Sequence, residues 1–126
     1  MTTHTLPTRT TITIRNLALR TIIGFNEWEK TKKQDVVINI ELDFDPRDAI
    51  KSDNVADTLD YKQIKRSVID LVESSRYNLV EKLTHAIVEK IMENPRVHAL
   101  NVTVDKPHAL RFTDSVAVTM HAERSA

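Results

Sequence analysis

Residues 105–115 read DKPHALRFTDS and place Lys106, His108 and Arg111 between two segments that alternate like β-strands. A tight hairpin closes with about two to five loop residues and usually carries glycine or an Asn-Gly pair. This connection is longer, is stiffened by Pro107 and contains no glycine. Lysine can carry a proton, and arginine can clamp a phosphate or carboxylate through its planar fork. Charged loops mounted on a rigid sheet are where binding and catalysis concentrate. Four other positions have chemical capacity: Glu27 and Glu29 after Gly24, Tyr61, and Glu81. Each also has a plain structural reading. Glu81 follows Asn78 by three positions, the spacing of a capping box at a helix start. Tyr61, in the first turn of a helix, is then a packing aromatic with its hydroxyl at the surface. Glu27 and Glu29 form an acidic turn, and Lys106 keeps a strand end soluble.

Composition narrows the chemistry. The five histidines, at 4, 85, 98, 108 and 121, show neither H-x-H nor H-E-x-x-H spacing. Glu81, His85 and Glu89 recur every fourth residue on one helix face, which reads as a solvated charge stripe. No metal site is expected. Gly24 is the only glycine, so neither a P-loop nor a G-x-G-x-x-G turn can form. Phosphate would have to be gripped by side chains or helix N-termini, with Arg20, Lys30, Lys32, Lys33 and Arg111 as candidates. The chain has no cysteine, which excludes disulfides, thiolate zinc sites and a cysteine nucleophile, and fits a reducing compartment. Eighteen basic residues balance eighteen acidic ones. No global field therefore attracts nucleic acid or an anionic membrane. The start, MTTHTLPTRTT, lacks the apolar stretch of a secretory leader. No apolar run approaches the roughly 18 residues of a spanning helix. The expectation is a cytoplasmic protein.

The elements that must position these side chains follow from periodicity. At 126 residues the chain reads as a single domain, residues 1–126, with a frayed, Thr-rich segment at 1–9. Ile12 and Ile14, then Leu17 and Leu19, alternate with a one-residue phase shift, which predicts a β-bulge near Arg15–Asn16. QDVVINIELDF (34–44) alternates cleanly, with Val36, Ile38, Ile40, Leu42 and Phe44 on one face. The period then changes. Ile64, Val68, Leu71 and Val72 form a helical stripe behind an Asp60-x-x-Gln63 capping signal, and Val80, Leu83, Ile87 and Ile91 form a second. Asn94–Pro95 stops that helix. Leu100, Val102 and Val104, then Val116, Val118 and Met120, close the chain as two more strands. The order ββααββ predicts an α+β fold, an antiparallel four-stranded sheet with two helices on one face. The other face is polar: Asn39, Glu41, Asp43, Asn101, Thr103, Thr119, His121. Several copies pairing edge to edge into a barrel would cover the open edges and enclose a wet tunnel.

Four segments occur in order on these elements: IGFNEWE (23–29), DTLDY (57–61), NLVEKL (78–83) and DKPHA (105–109). Together they resemble the dihydroneopterin aldolase family, from about Ile12 to Ala122. The resemblance implies the tunnelling fold, a barrel-forming homo-oligomer of four or eight subunits, and pterin sites between subunits. It implies that Glu81 accepts two hydrogen bonds from the pterin 2-amino group and ring N–H, assisted by the Val80 backbone. Leu59, Asp60 and Tyr61 of a neighbouring subunit would cover the ring. Lys106 and Tyr61 would handle protons, with Glu29 near the side-chain hydroxyls. The family works without a metal, another cofactor or a lysine Schiff base, because the dihydropterin C=N bond is the electron sink.

Within the family, HALRFTDSV after the Lys-Pro pair and RTIIG (20–24) are similar to the epimerase branch. The aldolase branch is richer in proline and glycine after the lysine, and carries Tyr-His before the early glycine. This implies epimerisation at C2′ of 7,8-dihydroneopterin triphosphate, with Arg111 and Arg20 as phosphate candidates. The alternatives are aldol cleavage to 6-hydroxymethyl-7,8-dihydropterin and glycolaldehyde, and a non-catalytic pterin-binding assembly.

Overall fold

The computed structural model describes residues 5–125. The frayed segment expected at 1–9 falls partly outside them, and residues 5–9 carry no strand or helix. The chain forms β1 (Thr10–Ile23), β2 (Gln34–Phe44), α1 (Arg47–Ser52), α2 (Tyr61–Glu73), β3 (Arg76–Tyr77), α3 (Val80–Met92), β4 (Ala99–Pro107) and β5 (Ser115–Glu123). Short 3-10 turns cover Glu27–Lys30 and Val55–Asp57. The sheet order is β3-β1-β2-β4-β5, antiparallel throughout its four long strands.

The alternating residues land as the period-two pattern requires. Val36, Ile38, Ile40, Leu42, Val102 and Val104 are buried on the face that receives Ile64, Val68 and Val72 of α2 and Leu83, Ile87 and Ile91 of α3. The bulge is where the phase shift puts it. The β1–β2 register slips between Ile14 and Leu17, and Asn16 takes a left-handed φ of 54°. Asparagine tolerates that conformation, and here Asn39 on β2 accepts the Asn16 backbone N–H at 2.9 Å.

Two elements go beyond the ββααββ reading. β3 is a two-residue parallel bridge onto Ile22–Ile23, too short to leave any alternation in the sequence. α1 buries none of its residues, so it has no apolar stripe to betray it. The start of α3 is also shifted. Leu79, not Asn78, occupies the N-cap, without a side-chain cap.

The two helices run antiparallel, and this gives the subunit two distinct ends. At one end the Thr21 hydroxyl donates to the Val72 carbonyl (2.6 Å), fixing the close of α2 to the close of β1. Gly24 N–H donates to Tyr77 O (3.1 Å), and α3 begins three residues later. At the other end Arg124 reaches the carbonyls of Met92 and Asn94, and Arg96 reaches that of Ala56. A groove lined by Gln63, Ile64, Lys90 and Asn94 separates the start of α2 from the close of α3 there.

The second face of the sheet is polar and internally bonded: Thr103 to Thr119 (2.8 Å), His121 to Asn101 (2.8 Å), Thr11 to Asp43 (2.6 Å). β5 and most of β1 have, among the described residues, no partner along their outer sides, leaving the edges open to pairing. Among the described residues no helix is long and apolar enough to cross a membrane.

Candidate active site

The most unusual side chain in the protein is a buried carboxylate. Glu29 lies in the 3-10 turn after β1 and is 3% exposed. An isolated buried carboxylate would be expensive, so its surroundings must compensate. They do, with four hydrogen bonds. Asn26 donates its backbone N–H (3.2 Å) and its side-chain amide (2.7 Å) to Oε1. Gln34 (3.0 Å) and Lys106 Nζ (2.6 Å) donate to Oε2. A carboxylate has about four lone-pair sites, so Glu29 is saturated.

Burial pushes the Glu29 carboxyl up, but the bonds from Lys106, Gln34 and the Asn26 backbone outweigh it and hold the group at about 2. Glu29 is thus a permanent anion at neutral pH. Lys106 stands opposite Val116 near the close of β4, its side chain only 14% exposed. An ammonium has three donors. One is bound to Glu29, and no other bond within the described residues uses the rest. The arrangement is a fixed cation with N–H groups to spare at the rim of a sheet.

The only glycine of the chain belongs to this site. Gly24 has φ +125°, a region that L-residues rarely adopt, and a Cβ there would overlap the carboxyl group of Glu29. The sequence shows Gly24 before an acidic turn but gives no hint that the turn folds back upon it. Asn26 and Gln34 were likewise not candidates on sequence. Gln34 reads as the polar head of a strand, and only the pairing of β2 with β1 and β4 turns it towards Glu29.

Glu81 is at the second position of α3, not the third, and is exposed without a capping bond. The capping-box explanation therefore falls away. Among the described residues its carboxylate has no partner, and it lies near the favourable positive end of the helix dipole. Val80 beside it is half-buried against the core; its carbonyl accepts the Thr84 hydroxyl (2.8 Å), and its N–H, at the first position of the helix, is left for outside contacts. Because α3 starts just after Tyr77, Val80 and Glu81 share one end of the subunit with Glu29 and Lys106.

Leu59, Asp60 and Tyr61 do not. They stand at the start of α2, whose 13 residues span about 20 Å at 1.5 Å per residue. Asp60 caps the helix through Lys62 N and Gln63 N (3.1 and 3.2 Å), as its sequence position predicts. Tyr61 is half exposed and free to meet another molecule. Leu59 is fully buried in its own core, so its side chain has no surface to offer a ligand and only its backbone remains.

The phosphate candidates separate too. Arg20 pairs with Asp35 (3.3 Å) and donates to Lys33 O (3.1 Å). Strand alternation puts it on the polar face, opposite to Gln34 and Lys106. Arg111 lies in the β4–β5 loop, its guanidinium 5.4 Å from the ring centre of the fully exposed Phe112. His108 and Phe112 give this glycine-free loop its bends through left-handed φ values of 60° and 67°. Among the described residues no three His, Cys, Asp or Glu side chains gather as metal ligands would.

An antiparallel sheet backed by two helices, open at both edges and carrying an anchored lysine and a free helix-start carboxylate at one end, is a tunnelling-fold unit. Residues 12–121 match the FolB dihydroneopterin aldolase family, and the chain belongs to it. Dihydroneopterin triphosphate 2′-epimerase of Pseudomonas aeruginosa is 42% identical over 90% of this chain and 92% of its own. Dihydroneopterin aldolase of Escherichia coli is 35% identical over 83% and 86%. The crystal structure of the Escherichia coli dihydroneopterin aldolase in complex with neopterin superposes with a TM-score of 0.85 at 33% identity. It covers 90% of this chain and 98% of that one.

Proposed function

We propose that this protein is an epimerase that inverts C2′ of 7,8-dihydroneopterin triphosphate by retro-aldol cleavage and re-addition, working as a homo-oligomer. The observation that carries this reading is the Lys106–Glu29 pair at the same end as an unengaged Glu81. Glu81 offers a planar acceptor pair to the 2-amino and ring N–H groups of the pterin, the geometry of a bidentate fork. A base on the hydroxyl side then takes the C2′ hydroxyl proton, the C1′–C2′ bond breaks, the ring C=N takes the electron pair, and the proton returns to that oxygen when the bond re-forms. The Lys106 ammonium serves the ring nitrogen on which that charge settles. Tyr61 of a neighbouring copy serves the hydroxyl side, since no single chain brings it to Lys106. Re-addition of the held aldehyde through its other face gives the epimer.

The exposed apolar residues support a site completed by a second copy. Phe25, Trp28, Leu79, Leu110 and Phe112 are exposed at the Lys106 end, and Ile50, Val55 and Tyr61 at the other. Exposed apolar side chains at both ends are what pairing with further copies would cover.

Glu81→Gln is expected to stay folded with little change in melting temperature, since it removes no cap. Pterin affinity, measured by titration calorimetry, should fall at least about tenfold through loss of a charge-assisted pair of roughly 1.5–3 kcal/mol. Unchanged affinity would remove Glu81 from the site.

Cleavage and epimerisation share the bond-breaking step and differ in whether the enamine recaptures the aldehyde. A triphosphate tail held by Arg111 keeps the aldehyde close, and proximity favours return. Chromatography should therefore show mainly the 2′-epimer from the triphosphate and a larger cleaved fraction from unphosphorylated dihydroneopterin. The kinship with aldolases at 35% identity favours cleavage as the second reading. Predominant 6-hydroxymethyl-7,8-dihydropterin from both substrates would establish it.

A further inference from the structure

Gln34 is the one donor to Glu29 that shares an oxygen with Lys106. Its side-chain nitrogen donates to the Ile23 carbonyl (2.6 Å) and to Glu29 Oε2 (3.0 Å), using both amide protons. Both neighbours are pure acceptors, so the amide has one possible orientation: a flip would set its oxygen against a carbonyl and a carboxylate. Gln34 opens β2, opposite Thr21 near the close of β1. One side chain thus ties the β1 terminus, the 3-10 turn and the anchor of the lysine together. We infer that Gln34 is a positioning residue for Lys106, acting through Glu29 by fixing the direction of the Oε2 lone pair that receives the ammonium. The turnover arm of this inference rests on the reading of Lys106 as a proton-handling group. The geometric arm does not.

Without the Gln34 amide, Oε2 keeps only Lys106, and the two Asn26 bonds to Oε1 are all that otherwise hold the carboxylate. With only Oε1 pinned by Asn26, the carboxylate can still pivot about that oxygen and carry Oε2 and the lysine with it. Gln34→Leu removes both donated bonds. Gln34→Glu keeps the shape but replaces a donor by a second carboxylate, and two carboxylates at this distance cannot both ionise freely.

The first measurement is a carbon-13 titration of the Glu29 carboxyl in the substrate-free protein. It does not depend on which reaction the site performs. Gln34→Leu should move the midpoint upward by at least half a pH unit or so, because one of the bonds that favour the anion is gone. The second is kinetic. Turnover should fall about tenfold in Gln34→Leu with KM within about twofold, as expected when a transition-state contact is loosened without loss of binding. Gln34→Glu should be impaired at neutral pH and regain turnover as pH is lowered and one proton bridges the two carboxyls. The third is a cycle. In a Glu29→Gln background, Gln34→Leu should cost no further turnover, since a residue acting through Glu29 is silent without it. An unmoved Glu29 midpoint with unchanged turnover would overturn the inference. So would an undiminished loss in the Glu29→Gln background, which would assign Gln34 to the fold alone. A shifted midpoint in a protein that turns over neither dihydroneopterin substrate would uphold the anchor and sink the epimerase reading instead.

Discussion

Lys106→Met is expected to lower turnover by about 10²–10⁴-fold, the range typical of losing a proton-transfer group. The same change should destabilise the fold, since it deletes one partner of a buried pair. Breaking such pairs costs about 3–5 kcal/mol. The lower end applies here, because Asn26 and Gln34 still hold Glu29. The pH dependence distinguishes this from a packing defect. In the folded protein the Glu29 carboxyl is held at about 2, below its usual 4.5. A depressed carboxyl stabilises the fold above its unfolded value and loses that contribution as pH falls through the folded one. The window is therefore pH 4.5 down to about 2. A shift of this size is linked to roughly 3 kcal/mol, at about 1.4 kcal/mol per unit. Without Lys106 the carboxyl moves back up and less remains to be lost. Melting curves of wild type and variant should therefore be far apart at pH 7 and converge on acidification to pH 3. A gap that stays constant over that range would mean that the pair does not stabilise the fold.

Gly24→Ala should be nearly as damaging, although it adds a single methyl group. Two costs combine. The backbone at φ +125° is foreign to alanine, and strained conformations of this kind cost on the order of 1–3 kcal/mol. The new Cβ would also fall on the carboxyl carbon and both oxygens of Glu29, so the side chain must leave its seat. All four bonds to the carboxylate are then broken together, and Lys106 loses its anchor. Turnover is expected to drop at least about 10²-fold. A Gly24→Ala/Glu29→Ala double variant separates the two costs. Truncating Glu29 clears the clash, so the double variant should melt higher than Gly24→Ala while remaining inactive. Wild-type turnover in Gly24→Ala would show that Glu29 does not need its present position.

Much of the architecture is legible in the chain because it is written locally. Period-two runs around Ile38 and Val102 and three-four stripes around Val68 and Ile87 each specify an element and its buried face, from neighbours within a few residues. The phase slip before Leu17 marks the Asn16 bulge for the same reason. The polar residues between the apolar ones foretell a second face without a helix to cover it. The signal fails where an element is too short or buries no face: β3 has two residues and α1 no buried side chain, and the one-residue shift at Asn78 turns Glu81 from a free carboxylate into an apparent cap.

The site is legible as a set of names and not as an arrangement. Lys106, Glu29, Glu81 and Tyr61 stand out through family resemblance, and nothing local says which of them meet. Lys106 and Glu29 are 77 positions apart and become partners only because β4 lies beside β2 and a turn folds back over Gly24. Gln34 and Asn26, which complete the carboxylate's bonding, are ordinary polar residues until strand pairing and that turn aim them. Tyr61 is separated from Lys106 by the length of α2, a distance set by antiparallel helix packing. Periodicity selects elements and faces through contacts a few residues apart. Strand register and helix direction, which are long-range, decided which charges converge.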